Sequence, residues 1–412
     1  MRILISGAGI AGPTLAWFLA KAGARITVVE KSESLLAQGQ NIDIQGSART
    51  VIEKMGLLDE IRRRNTTEKG TQFLDPQGRS YARFPVNGGR SVSLTSELEI
   101  LRGDLAAILY EAGKDCGNVE YLFGTTITKV LANGDSVKVA LSSGEVREFD
   151  LLVAADGQWS NVRQLCFAAD AVKVIDKGLY IAYFTVPRRS DDNDWWNVYQ
   201  ALKSRSMNLR PDPYGTIRAT LTLMPGDEAQ KKAWLAASKG DRQMQAEVLR
   251  RDFADAGWQS QRLLGAMEQA PDFYFQPIQQ IRMATWSNAR VVCVGDAAYA
   301  PTPLTGMGTS LAILGAYVLA GELSKLRDDE DPAKALAAYE SAFRPFVEKT
   351  QKLPFFVPAI AHPGTAWKRG LFRASARTVS KIVAMPWLAK KFDQGNKQDF
   401  PLPQYPGFDD SR

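Results

Sequence analysis

The sequence predicts an α/β fold, with a βαβ-type region interrupted by a β-sheet domain and closed by C-terminal helices. Three observations carry this. The first thirty residues alternate strand, glycine turn, helix and strand, the opening of a βαβ unit. That rhythm stops over residues 172–288, where β-rich stretches at 179–186 and 216–224 surround one charged helical stretch at 228–256. It returns with a strand at 290–294 and two long helices at about 308–326 and 332–349. The expected divisions are therefore 1–171, 172–288, 289–350 and 351–412.

The elements follow in order. A strand at 2–6 runs through Gly7-Ala8-Gly9-Ile10-Ala11-Gly12 into a helix with Leu15, Phe18 and Leu19 on one face, and a second strand at 25–29 ends at Glu30. A helix is expected at 47–55, a strand entering a turn at 72–78, and a helix at 103–116 with Leu105, Ile108 and Leu109 inward. Asn133-Gly134 between strands at 127–131 and 136–141 is a hairpin signal. The apolar run at 151–155 then leads to Asp156-Gly157.

Composition narrows the function classes. With 412 residues, 45% hydrophobic and 23% charged, the chain suits two joined globular domains. It has no apolar run of about 18 residues and no leader pattern after Met1, so a cytoplasmic protein is expected. Cys116, Cys166 and Cys293 are far apart, so no disulfide framework or metal site is expected. The single histidine, His362, reads as a surface or loop residue. A net charge of +6 favours anionic cofactors without marking a nucleic-acid binder. Residues 364–391 carry Lys368, Arg369, Arg373, Arg377, Lys381, Lys390 and Lys391 with no acid, interleaved with Leu371, Phe372, Val379, Ile382 and Trp387. Such a helix can lie on an anionic membrane. It can also cap the cofactor domain with its charges in water, which is the reading favoured here.

Gly7 permits a tight turn, Gly9 a close approach to a pyrophosphate, and Gly12 close helix–strand packing. The following helix start offers free N–H groups to phosphate, and Ile10 and Ala11 belong to this loop. Glu30, with Lys31 after it, stands eighteen residues beyond Gly12. A carboxylate there accepts from ribose hydroxyls and repels a 2′-phosphate, which leaves a plain adenosine, as in FAD or NAD.

Two distant motifs decide between them. Asp156-Gly157-Gln158-Trp159-Ser160-Asn161-Val162-Arg163 resembles the D-G-x-x-S-x-x-R fingerprint of flavoprotein hydroxylases in all four fixed positions. Gly295-Asp296-Ala297-Ala298, continuing through Pro303, Gly306, Met307 and Gly308, resembles their G-D-A-A-x-x-x-x-P-x-x-G-x-G signature about 140 residues later. On these motifs the chain is similar to the p-hydroxybenzoate hydroxylase-like monooxygenases, and to tetracycline-degrading members in particular. The resemblance covers roughly residues 1–170 and 280–350. It implies a Rossmann-like FAD-binding domain with an inserted substrate domain. It also implies non-covalent FAD held by Gly7, Gly9, Gly12, Glu30, Asp156, Gly157, Arg163, Gly295, Asp296, Pro303, Gly306, Met307 and Gly308. Arg102 and Asp43 match further flavin-contacting positions of that family. An arginine that relatives place before Gly39 is replaced by Leu36 or its neighbours.

The function so implied uses NADPH or NADH to reduce FAD, then O₂ to oxygenate an apolar, aromatic or polyketide-like small molecule through a flavin 4a-hydroperoxide. Pro303 and Gly306 are expected to line the substrate space, with Arg218, Tyr183 and Phe275 as wall residues. Two rivals remain open at this stage: a flavin oxidoreductase that does not oxygenate, and a nucleotide-binding module attached through the basic tail.

Overall fold

The computed structural model describes residues 1–35, 39–86, 97–327, 330–352, 357–383 and 399–408. Its nucleotide-binding half is a six-stranded sheet in the order Ser287–Asn288, Val291–Cys293, Leu151–Ala154, Arg2–Ser6, Arg25–Val29, Val119–Leu122. Every pairing is parallel except the Ser287–Asn288 edge. Parallel strands are covered on both faces and read as apolar runs, and Ile3, Leu4, Ile5, Leu151, Leu152 and Val153 are all buried. The helices Ala11–Lys21 and Gly308–Ser324 pack together beside this sheet. Gly308–Ser324 is apolar on almost every side, as a helix enclosed by protein must be. A three-stranded antiparallel sheet, with the hairpin turn at Asn133-Gly134, flanks it.

The second sheet has seven strands: Tyr274–Met283, Val172–Pro187, Thr216–Leu223, Arg205–Pro211, Trp196–Ala201, Gly70–Leu74, Ser80–Pro85. Its last two strands come from much earlier in the chain and join by parallel pairing of Trp196 with Thr71 and Tyr199 with Leu74. Three helices, Glu228–Lys239, Arg242–Phe253 and Ser260–Gln269, cover one face. Trp234, Leu249, Phe253 and Leu263 pack there with Tyr180, Ala182, Phe184 and Leu221 of the strands. The single helical stretch expected at 228–256 is two helices. Gly240 ends the first, and Asp241 caps the second by accepting from the Met244 N–H at 2.9 Å.

Two C-terminal expectations are corrected. The basic helix Ala366–Val383 does not cap the nucleotide-binding half. Phe372 and Ala376 pack with Phe73, Ala82 and Phe84 at the edge of the seven-stranded sheet, and Arg373 and Arg377 stand over the Tyr81 ring at 5.5 and 5.8 Å. Trp387, Lys390 and Lys391 lie outside the described residues, as does Leu36. No described helix is long and apolar enough to cross a membrane. His362 is not a surface histidine: it is buried, with Nδ1 donating to Pro358 O at 3.0 Å and Nε2 2.9 Å from Thr222 Oγ1. Both ring nitrogens are bonded, so the ring can be buried, and burial lowers its pKa.

Candidate functional site

Three adjacent parallel strands, Arg2–Ser6, Leu151–Ala154 and Val291–Cys293, end on the same edge of the six-stranded sheet. Their continuations carry Gly7, Asp156 and Gly295, so motifs far apart in sequence meet where such sheets bind ligands. Gly7 has φ +108°, and a Cβ there would sit 2.5 Å from Ala155 O. A Cβ on Gly12 would lie 2.0 Å from Gly7 O, so only glycine lets the helix start so close to the strand. Ile10 and Ala11 are buried at that start, which has no side-chain cap.

The Glu30 carboxylate is fixed beside this turn, accepting from Ala8 N–H at 2.9 Å and Ser32 N–H at 3.0 Å. Lys31, next to it, is exposed. Arg102 bridges two loops. Its Nη2 lies 3.5 Å from where a Gly9 Cβ would stand, and its Cβ packs 3.0 Å from the same position on Gly39.

Asp156 Oδ2 accepts from Val162 N–H at 3.1 Å, while its Oδ1 is buried with no partner among the described residues. Burial raises its carboxyl pKa despite help from Ser160 and Val162. Gly157 takes φ +81° in the turn that follows. Arg163, expected on the cofactor, is committed elsewhere. It is 5% exposed, and its guanidinium donates to Ala297 O at 2.6 Å and Gln158 O at 2.7 Å. It therefore ties the Asp156-Gly157 loop to the Gly295-Asp296 loop.

Gly295, at φ +66°, faces the Cβ atoms of Ala11 and Ala312. The Asp296 side chain is solvent-accessible yet surrounded by protein, as in a narrow cleft; desolvation raises its carboxyl pKa and the Arg102 charge opposes this. The loop then makes a single 3₁₀ turn at Pro303–Thr305, capped by Thr302 Oγ1 accepting from Leu304 N–H at 3.0 Å. Gly306 is left-handed at φ +65°, and Met307 leads into Gly308–Ser324, whose N-terminus also lacks a side-chain cap. A Cβ on Gly306 would stand 3.8 Å from Gln45 Nε2, and Gln45 N–H donates to Ser310 Oγ at 3.0 Å. The segment containing Asp43 thus adjoins this loop.

These residues fit FAD. Two uncapped helix starts offer N–H groups to anionic groups, Glu30 and Asp296 offer carboxylates for hydroxyls, and the unpartnered Asp156 Oδ1 awaits a donor.

On the substrate side, strand alternation decides which side chains can face the cleft. Phe275 cannot: it packs against Tyr180 and Trp234 on the helix-covered face. Arg218 is on the other face, but it is buried between Asp212 Oδ2 at 3.0 Å and Asp272 Oδ2 at 3.2 Å, so its charge is already neutralised. Tyr183 lies on that face, stacked with Tyr274 at 6.4 Å. The sequence reading missed the apolar patch of Leu179, Ile181 and Ile278, against which Tyr183, Met224 and Leu304 of the Pro303–Gly306 loop pack. Period-two alternation in these strands was the available signal.

Fold and cleft together define a class A flavoprotein monooxygenase with the p-hydroxybenzoate hydroxylase fold, an FAD-dependent enzyme acting on small molecules. The model of the FAD binding domain family matches residues 1–353, and the chain belongs to that family. It is 33% identical to the FAD-dependent monooxygenase asL6 of Sarocladium schorii, over 98% of each chain. It is 35% identical to monooxygenase CTB7 of Cercospora beticola, covering 98% of this chain and 97% of the relative. The crystal structure of tetracycline destructase Tet(55) superposes with a TM-score of 0.79 and 30% identity over 98% of each chain. HpxO of Klebsiella pneumoniae, solved with FAD and uric acid, shares the fold at a TM-score of 0.70 and 22% identity, covering 95% of this chain and 97% of HpxO.

Proposed function

We propose that this enzyme takes reducing equivalents from NADPH or NADH and adds one oxygen atom of O₂ to an apolar aromatic or polyketide-like molecule. The patch of Leu179, Ile181 and Ile278 against Leu304 carries this reading, because it sets a dry apolar wall against the flavin loop. The likeness to a tetracycline destructase supports a fused ring system as substrate. The bound FAD supplies the redox chemistry and oxygen activation.

The chain supplies binding, orientation and exclusion of water. Backbone N–H groups at Gly9 to Gly12 hold the pyrophosphate, and Glu30 and Asp296 hold the ribose and ribityl hydroxyls. Arg102 crosses between them, near enough for its charge to act on Asp296. The N–H groups at Gly306 to Gly308, at an uncapped helix start, would offer donors to an anionic part of the cofactor. Tyr183, the Leu179 patch, Pro303 and Gly306 would line the substrate space. In this scheme residues 172–288, with the strands from 70–85, form the substrate half, and 1–171 and 289–350 otherwise form the cofactor half.

The test is direct. Purified protein should be yellow, release FAD on denaturation, and oxidise NADPH or NADH faster with a fused-ring phenol present. Mass spectrometry under ¹⁸O₂ should find one labelled oxygen in the product. Reductant oxidation that yields only hydrogen peroxide with every fused-ring phenol tried would overturn the substrate assignment.

A further inference from the structure

Two acids are buried against one guanidinium where the strand Asn41–Asp43 meets the seven-stranded sheet. Arg210 donates to both oxygens of Glu68, from Nε at 3.0 Å and Nη2 at 3.1 Å, and its Nη2 also reaches Glu99 Oε1 at 2.8 Å. The Glu68 and Glu99 side chains are 0% and 2% exposed. Asn41 Nδ2 donates to Glu99 Oε1 at 2.6 Å and to Pro211 O at 3.2 Å, pinning the strand to the sheet. The Arg210 guanidinium lies 4.2 Å over the neutral Trp196 ring. Asp43 pairs with Glu99 across the two-stranded ribbon, and its negative charge acts on Glu68, Glu99 and Arg210 alike.

Ionised, Glu68 and Glu99 would place two acceptor-only groups on Arg210 with Asp43 adding a third negative charge. Glu99 Oε2 is buried and has no donor among the described residues. A buried acceptor left so is costly. Glu68 Oε1 and Glu99 Oε1 both lie on Arg210 Nη2, at 3.1 and 2.8 Å, which makes the two carboxyls neighbours, an arrangement that favours protonation of one of them.

We propose that Glu68 and Glu99 share one proton, and that Glu99 is thereby a positioning residue that keeps the strand Asn41–Asp43 docked where it leads into the flavin loop. The strand continues to Gln45, which meets Gly306 and Ser310, so its placement fixes one wall of the flavin cleft. Desolvation, opposed by Arg210, raises both acids, Glu99 to about 8. Above that pH the proton leaves, the anions repel, and the strand loosens. This rests on the reading of the 43–46 segment as flavin-facing.

The experiment uses the holoenzyme, with Glu99→Gln as a mimic of the protonated acid and Glu99→Ala as its removal. Infrared difference spectra between neutral and alkaline pH should show a protonated-carboxyl C=O band in wild type that Glu99→Gln eliminates. From about pH 6.5 to about pH 9, FAD affinity of wild type should fall about tenfold more than that of Glu99→Gln. Glu99→Ala should bind FAD weakly at both pH values even where its circular dichroism is native. A wild type without that infrared band, or a Glu99→Gln variant with the wild-type pH dependence, overturns the proposal. A yellow, NAD(P)H-oxidising enzyme giving either result would leave the functional reading intact.

Discussion

Replacing Arg163 separates a loop clamp from a cofactor contact. Its guanidinium makes two hydrogen bonds to carbonyls, a buried one to Ala297 O at 2.6 Å and a part-buried one to Gln158 O at 2.7 Å. Bonds of this kind from an ionised donor contribute about 1.5–3 kcal/mol each. At 5% exposure no discount for solvent screening applies. Arg163→Ala should therefore destabilise the protein by about 3–6 kcal/mol, a large part of the roughly 5–15 kcal/mol that holds a typical domain. Arg163→Lys, whose single nitrogen lacks the fork that reaches the two carbonyls from separate nitrogens, should lose about half as much. Urea unfolding of both variants in apo and FAD-loaded forms measures this, and FAD titration gives affinity separately. The clamp predicts that apo-stability falls first, with FAD affinity following because Asp156 and Asp296 lose their relative placement. Apo-stability equal to wild type with at least tenfold weaker FAD binding would refute it and return Arg163 to direct cofactor contact.

The other residues give sharper single readouts. Glu30→Ala should weaken FAD binding by about 1.5–3 kcal/mol, since the carboxylate that Ala8 and Ser32 fix would no longer meet the ribose; unchanged affinity means it faces elsewhere. Asp296→Asn and Asp296→Ala should lose affinity in that order with native circular dichroism, because Asn keeps one acceptor and Ala none; equal affinity in both variants would make the motif structural. His362 sets an acid-side dependence. Burial holds its folded pKa below the unfolded value, so between that pKa and about 6.5 the unfolded chain binds more protons and stability rises with pH. His362→Gln should flatten that rise in urea unfolding series, and an unaltered slope would count against it. Glu99 acts with the opposite sign. Its raised folded pKa makes the native state the better proton binder, so stability falls as pH rises from about 4.5 to about 8.

Much of the cofactor half is legible because its constraints are local. A left-handed Gly7 pressed on Ala155, or a Gly12 pressed on Gly7, is dictated by strand–turn–helix geometry within a dozen residues. The D-G and G-D motifs converge because parallel strands deliver their C-terminal ends to one edge, a rule independent of the sequence between them. What resisted reading depended on distant partners. The fingerprint gives Arg163 its position but not its bond to Ala297 O, a carbonyl far along the chain that only the fold brings near. His362, in a Pro/Gly context, gives no local sign that Thr222 and Pro358 would enclose it. The helical stretch at 228–256 failed for a local reason instead, since Gly240-Asp241 is a stop followed by a cap.

The substrate wall shows how far alternation reaches once one residue of each strand is placed. Ala182 and Phe184 lie under the covering helices, so Ile181, Tyr183 and Thr185 must face the other way. The antiparallel registers carry this across the sheet. Phe184 pairs with Ala219, so Arg218 and Thr220 share the face of Thr185 and Tyr183, and their partners Arg210 and Asn208 join them. Ala182 pairs with Phe275, which puts Phe275 under the helices and its neighbours Tyr274 and Gln276 toward the cleft. An error of one position in choosing a wall residue therefore moves a side chain through the sheet, as it did for Phe275. Of the residues this parity selects, Arg218 is neutralised by two aspartates, whereas Arg210 shares the Glu68–Glu99 pair. Two arginines on one face, eight positions apart and indistinguishable by pattern, thus differ in kind. Arg218 holds the end of the sheet together, and Arg210 joins the sheet to the strand beside the flavin loop.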